Sequence, residues 1–187
     1  CKLKLNMENC NIVDVVENIT LSVVTYANLK DIEIIFDTDV EEKILSCDTY
    51  MMERVMLNLL SNAIKFTPKG GKILVNIFDK GNTVLIKVAD NGIGISEDKI
   101  PTIFERFSQS GNDKEIESEG SGIGLSLVKA IVEMHNGTIS VKSSKNKGTE
   151  FSIELPVKVI GDGKIECHEF NLIRNMNRID IEMSDIE

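Results

Sequence analysis

Three polar residues at helical spacing in a largely apolar segment are the first candidates for chemistry. In residues 53–67, read ERVMLNLLSNAIKFT, the three are Asn58, Asn62 and Lys65. On a helix, at about 100° per residue, Asn62 lies about 40° from Asn58 and Lys65 about 20° on its other side, so all three share a stripe. An amide oxygen is a neutral, hard donor suited to Mg²⁺, which takes oxygen ligands and commonly bridges to substrate phosphates. Lys65, one turn on, suits a phosphate as a point charge. The chemistry this stripe offers is the holding of a magnesium–nucleotide complex. The same residues also fit a plain solvated helix face.

Four further clusters could complete such a site. The run ADNGIGI at 89–95 ends a strand in a carboxylate and then spaces two glycines, which lets a planar ligand approach the backbone. Asp90 there matches the exocyclic amine of adenine and opposes the carbonyl of guanine, which selects ATP over GTP. An ordinary Asp-Asn-Gly turn is the competing reading. The run GSGIGL at 120–125 puts Gly120, Gly122 and Gly124 ahead of a helix, where free amides and the positive dipole end suit an anion. A hinge before a helix fits it equally, and neither GxGxxG nor GxxxxGK[ST] is present. In FERF at 104–107, Arg106 offers a guanidinium fork to a terminal phosphate, and Phe104 and Phe107 offer packing; a helix end with a solvated arginine is the alternative. Gly148-Thr149 also reads as a simple strand start.

Positioning these residues takes a helix-and-sheet frame. Apolar spacing predicts a helix over 11–29, short strands over 33–36 and 43–46, and a helix over 49–66 capped by Asp48 and ended by Pro68 and Gly70-Gly71. Strands over 72–78 and 84–89 follow, joined by the hairpin signal DKGN. A helix is expected over 96–107 with Ser96 as its cap, then a polar, acidic, mobile loop over 108–121. The last helix runs to about His135, capped by Asn136-Gly137, and strands over 138–143 and 149–157 close the sheet around NKG. The tally is an α+β two-layer sandwich: a mixed, mostly antiparallel sheet with about three helices on one face. Residues 1–9 read as a leading linker, 10–160 as the domain, and 161–187 as a tail. The tail's alternation of Ile179, Ile181 and Met183 fits an added strand or a frayed end.

Composition narrows the classes. With 21 basic and 30 acidic residues the net charge is −9, which argues against a nucleic-acid binder. No run approaches 18 apolar residues, so no membrane span is expected. The first residue is Cys1, which reads as a piece of a longer protein and leaves room for a membrane-anchored parent. The cysteines at 1, 10, 47 and 167 lack paired metal spacing, and reduced, structurally passive thiols in a reducing cytoplasm are expected.

Taken in order and at these intervals, the clusters resemble the catalytic and ATP-binding domain of sensor histidine kinases, in the superfamily that also holds gyrase, Hsp90-type chaperones and mismatch-repair proteins. The resemblance covers residues of about 10–158. NLLSNAIKFT is similar to the family's N box, implying Asn62 as the principal Mg²⁺ ligand, Asn58 as its helper and Lys65 near the phosphates. DNGIGI resembles the G1 box, implying Asp90 as adenine reader with Gly92, Gly94 and Ile95 beside the base. FERF resembles the F box (Phe104, Arg106, Phe107) and GSGIGL the G2 box, whose amides from Gly120, Ser121, Gly122, Ile123, Gly124 and Leu125 would cradle phosphates. KGTEF resembles the G3 box, with Thr149 near the adenine pocket, and residues 108–121 would form the ATP lid.

One departure is informative. Hydrolytic members are expected to carry a glutamate four residues before the magnesium asparagine, as a base for water; here Asn58 stands there and takes no proton. Transfer of the γ-phosphoryl group to a partner is therefore expected over hydrolysis, with Lys65 and Arg106 offsetting charge. The implied acceptor is a histidine on a dimerising helical hairpin, with a response regulator downstream. His135, at a helix end, fits a cap role, and His168 a surface position. The chain is expected to be the cytoplasmic, monomeric catalytic piece of such a kinase. A nucleotide-gated binding module and an anti-sigma-type serine kinase of the same superfamily are the alternatives.

Overall fold

The computed structural model describes residues 4–105 and 124–162. A five-stranded sheet forms its floor, in the order β2 (Glu33–Thr38), β4 (Lys72–Asp79), β5 (Thr83–Asp90), β7 (Thr149–Pro156), β6 (Thr138–Ser143). β2 runs parallel to β4, and every other neighbouring pair is antiparallel. Alternation with period two sends Ile73, Val75 and Ile77 of β4, Val84, Ile86 and Val88 of β5, and Phe151, Ile153 and Leu155 of β7 into one core. Helices α1 (Ile12–Ser22), α3 (Thr49–Phe66) and α4 (Gly124–Met134) cover that face. The expected α+β two-layer sandwich is therefore the observed architecture.

The central helix α3 forms as its sequence directs. Asp48 caps it, its carboxylate accepting the Met51 N–H at 3.0 Å. Met52, Val55, Met56, Leu59, Leu60 and Ala63 face the core, each 3% exposed or less. Burying a side chain of that size contributes about 1.5–3 kcal/mol. At the other end, Lys30 donates to the carbonyls of Ile64 (3.3 Å) and Lys65 (3.4 Å), where a cation suits the negative dipole end.

Three expectations are corrected. The helix expected over 11–29 breaks at Val23 and resumes as α2 (Val24–Leu29). The hydroxyls of Thr20 and Ser22 bond back to the carbonyls of Val16 (2.7 Å) and Ile19 (2.6 Å), and the β-branched run Val23-Val24-Thr25 favours helix weakly. Among the described residues, Ile12–Leu29 is the one stretch long and apolar enough to cross a membrane, with mean hydropathy 1.2. Its Ile12, Val16, Ile19, Val23 and Ala27 are wholly buried in the core of the fold.

The second correction concerns residues 1–9. β1 (Glu8–Asn11) starts inside this expected linker and pairs antiparallel with β3 (Ile44–Cys47) in a separate two-stranded sheet. Its sequence, ENCN, carries no apolar alternation. It is held instead by contacts distant in the chain: the Asn9 side-chain amide both donates to and accepts from the backbone of Ile160, each at 2.8 Å. Ser46 N–H donates to the Lys158 carbonyl at 2.6 Å on the same layer. Cys10 and Cys47 lie side by side there as buried free thiols, hydrogen-bonded with sulfurs 3.0 Å apart.

Third, the helix expected over 96–107 is not regular. Its described part is a chain of turns around one 3-10 turn, Ile100–Thr102. Lys99, Thr102 and Glu105 each donate to the carbonyl three residues back. Pro101 has no N–H to give residue 97, so an α-helical ladder is interrupted in its first turns. The capping position of that turn is Lys99 rather than Ser96.

Helix α4 ends as expected. Asn136 adopts φ 58° and the Gly137 N–H returns to the Val132 carbonyl at 3.0 Å. His135, buried, does more than cap. Its Nδ1 donates to the Ile131 carbonyl at 2.8 Å, and its Nε2 accepts the Asp48 N–H at 3.0 Å. One imidazole thus ties the last turn of α4 to the capping residue of α3.

Candidate functional site

Strand register brings the first set of candidates together. Ile73 lies opposite Asp90, Asp90 opposite Thr149, and Thr149 opposite Ser143. Because alternate residues share a face, Asp90, Thr149 and Ser143 continue the inward rows of Val88, Phe151 and Val141. The apolar core thus ends, at one end of the sheet, in a row of three polar side chains. The Asp90 carboxylate accepts N–H groups of Gly92 (2.8 Å) and Thr149. Burial pushes its pKa above the ordinary 3.8, and these two amides pull partly the other way. A carboxylate so held is an oriented acceptor for one external donor.

The loop after β5 is fastened on several sides. Asn91 acts as an added rung of β4: its Oδ1 accepts the Lys72 N–H at 2.8 Å and its own N–H donates to the Lys72 carbonyl at 3.2 Å. Ile93 N–H donates to the Phe66 carbonyl (3.2 Å) at the end of α3, and Asn146 N–H donates to the Ile93 carbonyl (2.6 Å). Gly94, at φ +66°, and Gly148, at φ +82°, sit where a side chain is both strained and blocked. A Cβ on Gly94 would strike the Ser144 carbonyl, and one on Gly148 the Asp90 carbonyl. Gly92 packs as closely on the Phe66 carbonyl. The glycines therefore let two loops interlock around Asp90.

The second set lies on α3. Asn62 Nδ2 is 3.4 Å from Asn58 Oδ1, so the two amides are neighbours on the helix as their four-residue spacing predicts. Lys65 lies one turn further, partly buried like both asparagines. Gly124, the first residue of α4, rests directly on the Asn58 amide, with no room for a Cβ. Leu125 and Ile95 pack on the edge of the core. Phe104 meets Phe151 edge-on, with ring centroids 6.3 Å apart, and Lys129 Nζ sits over the Phe104 ring, 5.9 Å from its centroid.

Arg106, Phe107, Gly120, Ser121, Gly122 and Ile123, with the expected lid over 108–121, lie outside the described residues, as does His168. Two residues escaped the reading of the sequence. Ser143 was legible in the alternation Ile139, Val141, Ser143, which points it inward beside Thr149. Asn91 had no such signal, because its partner is backbone reached only through the fold.

Comparison with known proteins gives a consistent picture. The family described as histidine kinase-, DNA gyrase B- and HSP90-like ATPase matches residues 47–159. The sensor histidine kinase TmoS of Ectopseudomonas mendocina is 44% identical over 114 residues, which is 60% of this chain and 12% of TmoS. Among solved structures, the catalytic domain of the histidine kinase ThkA superposes with a TM-score of 0.72 at 27% identity, over 82% of this chain and 97% of that one. ThkA has also been solved in complex with the response regulator protein TrrA. Full-length ShkA in complex with AMPPNP superposes with a TM-score of 0.74 at 25% identity, over 88% of this chain and 34% of ShkA. The chain spans 12–23% of the length of the curated relatives it matches.

Proposed function

Because the chain belongs to the histidine kinase-, DNA gyrase B- and HSP90-like ATPase family, we propose that it is the ATP-binding catalytic part of a two-component sensor histidine kinase. In this reading the γ-phosphoryl group of ATP passes to a histidine on a helical hairpin elsewhere in the parent protein. The observation that carries the choice of transfer over hydrolysis is Asn58. It stands one turn before Asn62, packed under Gly124 and within reach of the Asn62 amide. An amide takes no proton from water, so the site offers no base at that place.

Each side chain then has a part. Asp90, with its two backbone donors, accepts the exocyclic amine of adenine, beside Gly92, Gly94, Ile95 and Thr149. Lys65 offers its charge to the terminal phosphate beside Phe104, and the family resemblance assigns Arg106, Phe107 and the amides of residues 120–125 to the phosphates as well. Mg²⁺ fits the donor set. Among the described residues no group of three or more His, Cys, Asp or Glu could hold a metal. The Asn58–Asn62 contact turns the Asn62 nitrogen toward Asn58 and leaves its oxygen for a ligand. One protein oxygen with phosphate oxygens and water is a usual Mg²⁺ arrangement. Asn62 would hold the ion with Asn58 orienting it, and the ion would supply neutralising charge at the phosphates. As the imidazole nitrogen bonds to the γ-phosphorus and the bond to the bridging oxygen of ADP breaks, this chain's contribution is alignment and charge.

A response regulator is the expected recipient, as in the ThkA–TrrA pair, and the piece would work on the cytoplasmic side, where ATP is found. The test is to incubate the parent protein with γ-labelled ATP and Mg²⁺. Protein-bound label that is acid-labile and alkali-stable is expected. Acid-stable label would instead mean a serine kinase, and release of inorganic phosphate without labelled protein an ATPase. Nucleotide binding with neither outcome would mean a nucleotide-gated module. Any of these three overturns the proposal.

A further inference from the structure

Ser143 is the side chain on which the two interlocked loops meet. Its Oγ accepts the Ile95 N–H at 2.8 Å, lies 2.8 Å from the Gly148 carbonyl, and is 3.0 Å from Thr149 Oγ1. A hydroxyl has one proton and two lone pairs. The carbonyl of Gly148 only accepts, so it takes the Ser143 proton. The Ile95 N–H uses one lone pair, and the remaining lone pair faces Thr149. Thr149 must then be the donor of that contact, which leaves its own lone pairs for whatever sits beside it. Thr149 is the direct cross-strand partner of Asp90 and gives that carboxylate its backbone N–H.

We propose that Ser143 is a positioning residue of the nucleotide site and sets its preference for adenine. It pins loop 90–95 to the β6–β7 turn through Ile95 and Gly148. It also fixes the Thr149 hydroxyl as a second acceptor next to Asp90. Two adjacent acceptors suit an exocyclic amine and oppose a carbonyl, so the pair discriminates adenine from guanine more sharply than the carboxylate alone. Without the Ser143 hydroxyl the Thr149 proton is released, and Thr149 can donate to a carbonyl. The inference rests on Asp90 as the adenine reader.

The experiment compares Ser143→Val with Ser143→Thr in the whole chain. Both are β-branched and suit a strand, and they differ in little but the hydroxyl. ATP and GTP affinities are measured by competition calorimetry with Mg²⁺, and folding is checked by circular dichroism. Ser143→Val should bind ATP roughly tenfold more weakly, the scale of one or two lost hydrogen bonds, while GTP binding falls less. Ser143→Thr should stay within about threefold of wild type for both, since the hydroxyl is kept. In the parent kinase the Val variant should raise KM for ATP and leave kcat at saturation. Equal losses for ATP and GTP, or a Thr variant as weak as the Val variant, would overturn the proposal. Asp90→Asn is run alongside. If it abolishes ATP binding while Ser143→Val changes nothing, the Ser143 inference alone fails; if Asp90→Asn also binds normally, the adenine-reader assignment fails first.

Discussion

Replacing Asp90 by Asn separates binding from stability in a way that tests the whole site. The change keeps the shape of the side chain and keeps one oxygen, with two lone pairs, for the two backbone N–H groups the carboxylate accepts, that of Gly92, 2.8 Å away in the native protein, and that of Thr149. What it adds is an NH₂ group where the adenine amine would approach, so a charge-assisted hydrogen bond becomes a donor facing a donor. A hydrogen bond to a charged group contributes about 1.5–3 kcal/mol, and leaving a donor unmet costs about 1–3 kcal/mol more. The expected loss in ATP affinity is therefore on the order of 10²- to 10⁴-fold. Stability should move the other way. Burial raises the Asp90 pKa, so the folded protein holds that proton more tightly than the unfolded chain and the ionised form costs stability at neutral pH. That cost is relieved as pH falls through the raised pKa, whereas nucleotide binding, which needs the carboxylate, is lost over the same range. Asn removes the cost at every pH. Calorimetry should show ATP binding nearly abolished, and thermal melts at pH 7 should show a midpoint equal to or above wild type. A mutant that binds ATP normally refutes the reader role. A mutant that melts well below wild type refutes the account of burial.

Three other substitutions probe the neighbouring parts. Asn62→Ala should remove the Mg²⁺-dependent portion of ATP affinity, seen as identical binding isotherms with Mg²⁺ and with a chelator; a persisting metal effect would show the ion is held elsewhere. Gly124→Ala should push the Asn58 amide aside, because a Cβ there has no room. Overpacking of about 1–3 kcal/mol is offset by about 1 kcal/mol of helix propensity, so urea midpoints should shift slightly while Mg²⁺-dependent affinity falls. His135→Ala should cost about 2–4 kcal/mol in urea unfolding, since it opens a cavity and leaves the buried Asp48 N–H without its partner, yet ATP affinity of the folded fraction should hold.

How much of this was legible beforehand follows from the range of the interactions. The α3 helix, its Asp48 cap and the Asn58–Asn62 contact depend on residues at most four apart, and all three are where the spacing puts them. The strands at the centre of the sheet alternate cleanly, so their faces were readable, and with them the inward placement of Asp90. Over 96–105 the cap signal of Ser96 points to a regular helix, and Pro101, whose missing N–H acts only once a helix is attempted, prevents it. The break at Val23 has a similar cause, hydroxyls competing for carbonyls inside an otherwise helical pattern. β1 was illegible for a different reason. Its pairing partners are residues 44–47, and its clamp comes from Ile160, 151 residues away. Ser143 belonged to a strand that was identified, but its neighbours Ile95 and Gly148 come from loops whose folding periodicity does not encode.

The grip of Asn9 on Ile160 has a mechanical consequence. Tension applied to the chain before β1 and after residue 160 meets the Asn6 N–H bond to the Asp48 carboxylate (2.8 Å) and then the paired amide bonds at that corner. The Ser46–Lys158 bond and the β1–β3 ladder come next. The load is thus shunted between two neighbouring points, and the five strands that carry Asp90, Thr149 and Ser143 lie off its path. While these bonds hold, Asn9 and Ile160 stay neighbours, and the strand ends that carry Asp90, Thr149 and Ser143 are not part of the loaded corner.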